Sequence, residues 1–185
     1  YRDRNLILTF QWRLNLGYLV LTSILYSLTL GLLFLAWQLI LVRLCGFSDL
    51  RKNFKIYYLA SLSRRLPTVI WTVAGRLYLY KQEGVAESVV IAGTTVEGLA
   101  TALAGVVAYL LLMPTYSFTV LNNNILPMAG AGLVLVVVLS QPGAIIALLD
   151  KAFVYLRRDP VALVIRRRDL AVWLVIYLAA WLMGG

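Results

Sequence analysis

The sequence predicts an all-α fold, that of a polytopic helical integral membrane protein. Hydrophobic residues make up 62% of the 185 residues, against about 45–50% in typical soluble domains, and the mean hydropathy is +0.85. The apolar residues are grouped in long blocks, and about 20 helical residues are enough to cross a hydrocarbon layer of about 30 Å. A single soluble core could not cover so much apolar surface.

The first two predicted spans differ in character. Block 17–42 is uncharged and predicts a simple transmembrane helix. The second, 56–80, contains three arginines together with Pro67, which lacks a backbone N–H and clashes with the preceding turn. We therefore expect this segment to be broken at residue 67 or to be re-entrant, with both of its ends on one side of the membrane. The alternative is a helix that starts near Leu66, with two of the arginines at headgroup level.

Three more apolar blocks predict spans at 88–113, 126–149 and 170–185. Glu97 is the one charged residue of the first of these blocks. Pro142 and Gly143 interrupt the second, so we expect that helix to kink or to unwind there. The last block stops after 16 residues, which is short for a crossing, and the chain starts without Met. We therefore expect residues 1–185 to form one membrane domain that is a fragment of a longer one.

Residues 150–169 predict a cytoplasmic segment at the membrane interface. They hold six basic residues, and such residues favour the cytoplasmic side and anionic lipid headgroups. The residues expected to contact headgroups are Arg157, Arg158, Arg166, Arg167 and Arg168. The alternative is a solvated loop that only sets the topology.

This orientation conflicts with the charges of the first loop. Counting spans backwards from a cytoplasmic segment at 150–169 places the basic residues of that loop outside, against the positive-inside rule. These residues are Arg43, Arg51, Lys52 and Lys55. A re-entrant second segment would remove the conflict, because its two ends would then lie on one side.

The remaining composition excludes several classes of function. The net charge of +9 is concentrated at the ends of the spans, which argues against nucleic acid as a partner. One cysteine and no histidine exclude an intrachain disulfide, a cysteine metal cluster and histidine-based catalysis. Because the chain has no nucleotide-binding, hydrolase or metalloprotease motif, we expect no enzyme activity, no cofactor and no metal.

Polar residues inside the second and third spans predict a polar groove. If residues 57–80 form one helix, one stripe faces the bundle and consists of Ser61, Arg65, Thr68, Thr72 and Arg76. Glu97 supplies a counter-charge for Arg65 or Arg76, since an intramembrane cation needs a polar path or a partner. The expected substrate-binding residues are Arg64, Arg65, Thr68, Thr72, Arg76, Glu97 and Thr101. The alternatives are an ion pair that only locks two helices together, and a protonated Glu97 that is no counter-ion.

One stretch of the chain resembles a known family. The run 59–76, LASLSRRLPTVIWTVAGR, is followed by a Glu-Gly pair at 83–84 and then by the span that carries Glu97. This order is similar to the flippase-like membrane domain of bacterial lysylphosphatidylglycerol synthases and of their stand-alone relatives. The sequence departs from the family pattern at Thr68, where glycine is usual.

The resemblance implies translocation of a lipid with a polar headgroup, aminoacylated or otherwise anionic, between the leaflets of a prokaryotic inner membrane. Matching positions give implied roles to Arg65, Pro67, Gly75, Arg76 and Glu97. The implied partners are membrane lipids, above all anionic phospholipid, and a synthase domain, a glycosyltransferase domain or further copies of the chain. The alternative is a non-transporting membrane anchor for a cell-envelope glycosyltransferase or lipid-modifying enzyme, and a membrane-embedded transferase is the third hypothesis.

Overall fold

The computed structural model of this protein describes residues 15–62, 70–112 and 165–184, together with the single positions Gly130, Gly143, Ala147 and Lys151. Within these residues the fold is all-α, as predicted: five helices can be given bounds, and no strand occurs. The helices are α1 (Leu16–Cys45), α2 (Leu50–Leu62), α3 (Ile70–Gln82), α4 (Glu87–Leu112) and α5 (Arg167–Gly184). Two of them are long and apolar enough to cross a membrane, namely α1 and, within α4, the stretch Glu87–Tyr109.

Helix α1 covers the first predicted span and has a cap at each end. At its start, the Asn15 side chain accepts hydrogen bonds from the backbone N–H groups of Gly17 at 3.0 Å and Tyr18 at 3.4 Å. At its end, Gly46 has a φ of 73°, a left-handed conformation that favours glycine. Its N–H donates to the carbonyl of Val42 at 3.0 Å, which ends the helix before the first loop.

Helices α2 and α3 form an antiparallel hairpin. Near the start of α2, Lys52 pairs with Glu83, just past the end of α3, at 2.6 Å. In the next position of α2, the Asn53 side chain accepts a hydrogen bond from the Tyr80 hydroxyl. The start of α2 and the end of α3 are therefore neighbours. Each helix has 13 residues, a length of about 20 Å.

The hairpin excludes the single polar stripe that a continuous helix over 57–80 would present. Thr72 and Arg76 lie together on α3, whereas Ser61 lies on α2. The predicted break at Pro67 falls between the two helices, outside the described residues.

Helix α5 runs antiparallel to α1. Arg43, near the end of α1, pairs with Asp169, near the start of α5, at 2.8 Å. At the other end, α1 and α5 approach so closely that a Cβ on Gly184 would lie 3.0 Å from the Thr29 methyl group.

Helix α4 runs antiparallel to α1 and parallel to α5. Near its start, Gly93 lies against the Trp37 ring of α1, since a Cβ there would be 3.2 Å from it. Further along α4, the carbonyl of Thr101 accepts a hydrogen bond of 3.1 Å from the Trp181 indole of α5. Small residues at such crossings allow helix backbones to approach closely. The three long helices thus form a bundle, and α3 packs beside α4.

One end of this bundle carries nearly all of the charge. We call it the charged end: α1 ends there, α4 and α5 begin there, and the hairpin starts and finishes there. Of the charged residues in the three described ranges, all but Arg76 and Glu97 belong to it. They are Arg43, Asp49, Arg51, Lys52, Lys55, Lys81, Glu83, Glu87, Arg166, Arg167, Arg168 and Asp169. The backward count of spans, which placed Arg43 opposite the segment 150–169, is wrong, because Arg43 bonds to Asp169.

The remaining predicted segments are described only in part. Helix α5 begins at Arg167, three residues before the predicted span 170–185. Gly143 is a helical residue, whereas Pro142, most of the span 126–149, Arg157 and Arg158 lie outside the described residues.

A chain of buried side-chain hydrogen bonds joins the hairpin to α1. The Gln38 amide donates to the carbonyl of Phe47 at 3.2 Å and accepts from the Asn53 amide. Asn53 in turn accepts from the Tyr80 hydroxyl, which accepts from the Trp37 indole at 2.6 Å. Asn53, Tyr80 and Trp37 are completely buried. Because each polar group has its partner, the chain fixes α2 and α3 against α1.

The central position of Asn53 gives the first prediction. Replacing Asn53 by alanine leaves the Gln38 amide and the Tyr80 hydroxyl buried with one partner fewer, so we expect a loss of about 1–3 kcal/mol of stability. The measurement is the midpoint of unfolding in mixed detergent micelles, followed by helical circular dichroism.

Ser61→Ala is the matched control, because the hydrogen bond of the Ser61 hydroxyl within the described residues goes to the Tyr57 carbonyl of its own helix, at 2.7 Å. Equal losses for Asn53→Ala and Ser61→Ala would contradict the role given to the hydrogen-bond chain.

Candidate functional site

A buried ion pair between Arg76 of α3 and Glu97 of α4 is the centre of the site. The Arg76 Nη1 atom donates to Glu97 Oε2, and Nη2 lies 3.4 Å from Oε1. The side chains are only 2% and 12% exposed. Arg76 is thus one of the two partners that the sequence proposed for Glu97, and the pairing joins the hairpin to α4.

Helical spacing on α3 explains why Arg76 points inward. Thr72, Arg76 and Tyr80 follow one another at intervals of four residues and are all buried, so they form one stripe along the helix. The opposite side of α3 exposes Trp71 and Tyr78. The polar stripe therefore faces the protein, and two aromatic side chains face outward.

Two aromatic rings enclose the Arg76 guanidinium. Its Cζ atom lies 4.1 Å from the centre of the Trp37 ring and 5.0 Å from that of Tyr57. Both distances suit cation–π attraction, which is stronger where water is excluded. Trp37 belongs to α1 and Tyr57 to α2, so the guanidinium contacts residues of three helices besides its own.

The site has unused capacity for hydrogen bonding. Within the described part of the chain, Arg76 Nε and Thr94 Oγ1 are buried and have no hydrogen-bond partner. Thr94 lies one turn before Glu97 on α4. A buried donor without a partner is costly, and a guanidinium presents its donors as a planar fork that matches a phosphate or carboxylate. The chemistry of the site is therefore that of an anion-binding group already paired with an internal carboxylate.

An apolar cleft between α1, α4 and α5 includes Thr101, one helical turn beyond Glu97. It has a volume of about 230 Å³ and is lined by Thr29, Leu33, Thr101, Ala180, Trp181 and Gly184. The Thr101 hydroxyl donates to the Glu97 carbonyl at 2.7 Å, so the cleft reaches within one helical turn of Glu97. It lies toward the uncharged end of the bundle.

The structure brings together four of the predicted site residues and separates others from them. Thr72, Arg76, Glu97 and Thr101 lie at or next to the pair. Arg166, Arg167 and Arg168 are exposed at the charged end and do not belong to it. Arg64, Arg65 and Thr68, like the predicted break at Pro67, lie outside the described residues.

Sequence reasoning missed the residues that surround the pair. They are Trp37, Gln38, Asn53, Tyr57 and Tyr80. The one usable signal was Gln38, an isolated amide in an otherwise apolar stretch of α1, because a polar group that is buried among apolar side chains needs a hydrogen-bond partner. The aromatic residues gave no signal, since the chain contains 5 tryptophans and 11 tyrosines, with nothing to distinguish these.

Comparisons with known proteins add no relative. No protein-family model matches the chain, and no curated protein and no solved structure does either. In the described residues, no group of three acidic, cysteine or histidine side chains could hold a metal ion. The resemblance to the lysylphosphatidylglycerol synthase membrane domain therefore rests on the residues quoted for it and stays a prediction.

The ion pair gives the second prediction. Arg76→Met and Glu97→Leu should each cost about 3–5 kcal/mol of stability, because either change leaves a buried partner without its counter-charge. The double variant Arg76→Met with Glu97→Leu removes both polar groups and should be more stable than either single variant. Unfolding midpoints in detergent for the four-member cycle measure this coupling.

Lys81→Met is the control, since Lys81 forms an exposed pair with Glu87 at 2.8 Å and such pairs contribute about 0–1 kcal/mol. Additive losses in the Arg76 and Glu97 cycle would show that the two side chains do not stabilise each other.

Proposed function

We propose that this chain is a multi-pass protein of a prokaryotic cell membrane that moves a lipid with a polar headgroup between leaflets, and that Arg76 and Glu97 line its path. The single observation that carries the proposal is the buried arginine–glutamate pair, which has an unpaired donor and a cleft one turn away. Membrane location, topology and transport are separate parts of this proposal, and each can be tested alone.

The outward faces of the helices support a membrane location. The first half of α1 exposes large apolar side chains on all sides, among them Leu16, Leu19, Val20 and Ile24, each more than 50% exposed. A soluble monomer rarely exposes a continuous apolar surface of that kind. The exposed Trp71 and Tyr78 of α3 add aromatic residues of the type that bilayers accept.

The hairpin supports a re-entrant segment. Helices of about 20 Å are too short to cross about 30 Å of hydrocarbon, and α2 starts where α3 finishes. We therefore propose that the hairpin enters and leaves the membrane on the side of the charged end. The positive-inside rule then assigns the charged end to the cytoplasm, because it holds eight basic and four acidic residues in the described ranges.

This topology gives the third prediction. In a Cys45→Ser background, Ser48→Cys and Gln82→Cys should react with a membrane-impermeant maleimide from the same, cytoplasmic side, because they flank the hairpin. Leu16→Cys, at the start of α1, should react from the opposite side. Labelling in right-side-out and inside-out vesicles makes the comparison.

The wild-type protein, which retains Cys45, is the control. Cys45 is exposed at the end of α1 and should be labelled from the same side as Ser48→Cys. Labelling of Ser48→Cys and Gln82→Cys from opposite sides would show that the segment between them spans the membrane.

The transport proposal follows from the chemistry of the pair. A headgroup that crosses the bilayer carries its phosphate through hydrocarbon, where an unpaired charge is costly. An arginine can bind that phosphate through two parallel hydrogen bonds. If the phosphate takes the place of the Glu97 carboxylate, the guanidinium exchanges one counter-ion for another, and Trp37 and Tyr57 keep it in position. The amino group of an aminoacylated headgroup can then pair with the displaced carboxylate.

The fourth prediction tests translocation directly. The purified protein is placed in vesicles that contain a fluorescently labelled anionic phospholipid. It should move labelled lipid from the inner to the outer leaflet, where a reducing agent added outside removes the fluorescence. The rate of fluorescence loss is measured. Arg76→Lys should lower the rate by about tenfold or more, because it keeps the charge but loses the two parallel hydrogen bonds, which are worth about 1.5–3 kcal/mol each when charged. Size-exclusion chromatography identifies variants that fail to fold.

Lys81→Ala is the matched control, because it removes a basic residue of the same helix outside the site, and it should keep the wild-type rate. Wild-type rates in Arg76→Lys would contradict the role of the pair. A wild-type protein that moves no lipid would favour the second candidate, a membrane anchor for an envelope enzyme. The observation that favours this anchor is the burial of Arg76, whose side chain is 2% exposed. Such burial is also expected of an ion pair that only holds two helices together.

A further inference from the structure

Basic residues at the charged end fall into two groups, those with an acidic partner and those without. Arg43, Lys52 and Lys81 pair with Asp169, Glu83 and Glu87 at 2.6–2.8 Å. The Glu83 carboxylate also raises the pKa of Lys52 above its ordinary value. In the described ranges, Arg51, Lys55 and the arginines at 166–168 form no such ion pair and are exposed.

Arg51 and Lys55 lie one turn apart on the exposed side of α2. The same side exposes Leu50 and Phe54, at 57% and 52%. The opposite side, with Asn53, Ile56, Tyr57 and Ala60, is buried. Basic and large apolar side chains therefore share one outward surface, on which long basic side chains can reach headgroups while the apolar ones contact acyl chains.

The character of this surface changes along α2. The cations stand in the first two turns, at the charged end, whereas the later exposed residues are Leu59 and Leu62. A helix that starts among headgroups and continues into hydrocarbon has this order of side chains. A surface that binds nucleic acid or an acidic protein would not require the exposed leucines at the end of α2.

We infer that the exposed side of α2 binds the headgroups of anionic phospholipids, with Arg51 and Lys55 contacting the phosphates. The charge of these two residues is available because no acidic side chain in the described ranges pairs with it. The neighbouring Leu50 and Phe54 contact the upper acyl chains. The inference rests on the proposed membrane location but not on transport, because a bound lipid need not move.

The experiment measures lipid binding to the full chain in a neutral detergent. Phosphatidylglycerol should raise the thermal midpoint of the wild-type protein and bind in native mass spectra, whereas phosphatidylcholine and inorganic phosphate should do neither. At about 1 kcal/mol for each basic residue near an anionic surface, R51Q should weaken binding about fivefold and R51Q/K55Q about 30-fold.

K52Q is the matched control, because Lys52 stands between the two positions, is similarly exposed and is already paired with Glu83. It should keep wild-type affinity. Since both tested side chains are exposed, R51Q/K55Q should keep the wild-type midpoint in the absence of phosphatidylglycerol, and R51K should keep most of the binding.

Three results would overturn the inference. Equal losses in K52Q and R51Q/K55Q would mean that only the total charge matters. Equal binding of phosphatidylcholine would remove the preference for anionic lipid, and an equal response to inorganic phosphate would point to a free anion instead. Loss of lipid transport with intact phosphatidylglycerol binding would count against the proposed function alone.

Discussion

The Arg76–Glu97 ion pair is the constraint around which the other described contacts are arranged. A guanidinium that is 2% exposed is stable among apolar side chains only with a counter-charge in contact, since the loss of hydration costs several kcal/mol per ion. Glu97 must therefore be brought to α3, and this requires the hairpin to lie against the bundle. The buried hydrogen bonds from Gln38 through Asn53 to Tyr80 hold it there, and Trp37 and Tyr57 close the remaining faces of the guanidinium.

The return of the hairpin to the end at which it started accounts for the distribution of charge. A continuous second span would send the chain to the opposite end and would separate Arg43 from Asp169. In the structure these residues bond to each other, and the basic residues of the first loop share an end with those that precede α5. One geometric feature, the reversal between α2 and α3, thus brings both groups of basic residues to one end of the bundle, which is the distribution that the proposed re-entrant topology requires.

The sequence predicted the helices and the ion pair better than it predicted the direction in which the chain runs after α2. The all-α class followed from the long apolar blocks, and α1 agrees with block 17–42 to within three residues at either end. The pairing of Glu97 with an arginine was also foreseeable, because it is the one acidic residue of its block. The reversal was only one of the options that the sequence left open, since a proline interrupts a helix without setting the direction of the chain that follows. The aromatic residues around Arg76 were not foreseeable, because contacts between distant helices leave no periodic signal in an apolar sequence.

The burial of Arg76 between two rings also bears on whether the ion pair only holds two helices together or takes part in lipid transport. A lock needs both partners to be fixed, whereas an exchangeable site needs one fixed group and one that can leave. The two side chains differ in this respect: Arg76 lies between two rings, while Glu97 is the more exposed partner at 12%. In the proposed exchange, the arginine therefore keeps its aromatic surroundings and the carboxylate yields its place. The guanidinium then has a counter-charge throughout the step, and the displaced carboxylate needs a cation of its own, such as the amino group of an aminoacylated headgroup, to avoid the cost of a buried unpaired charge.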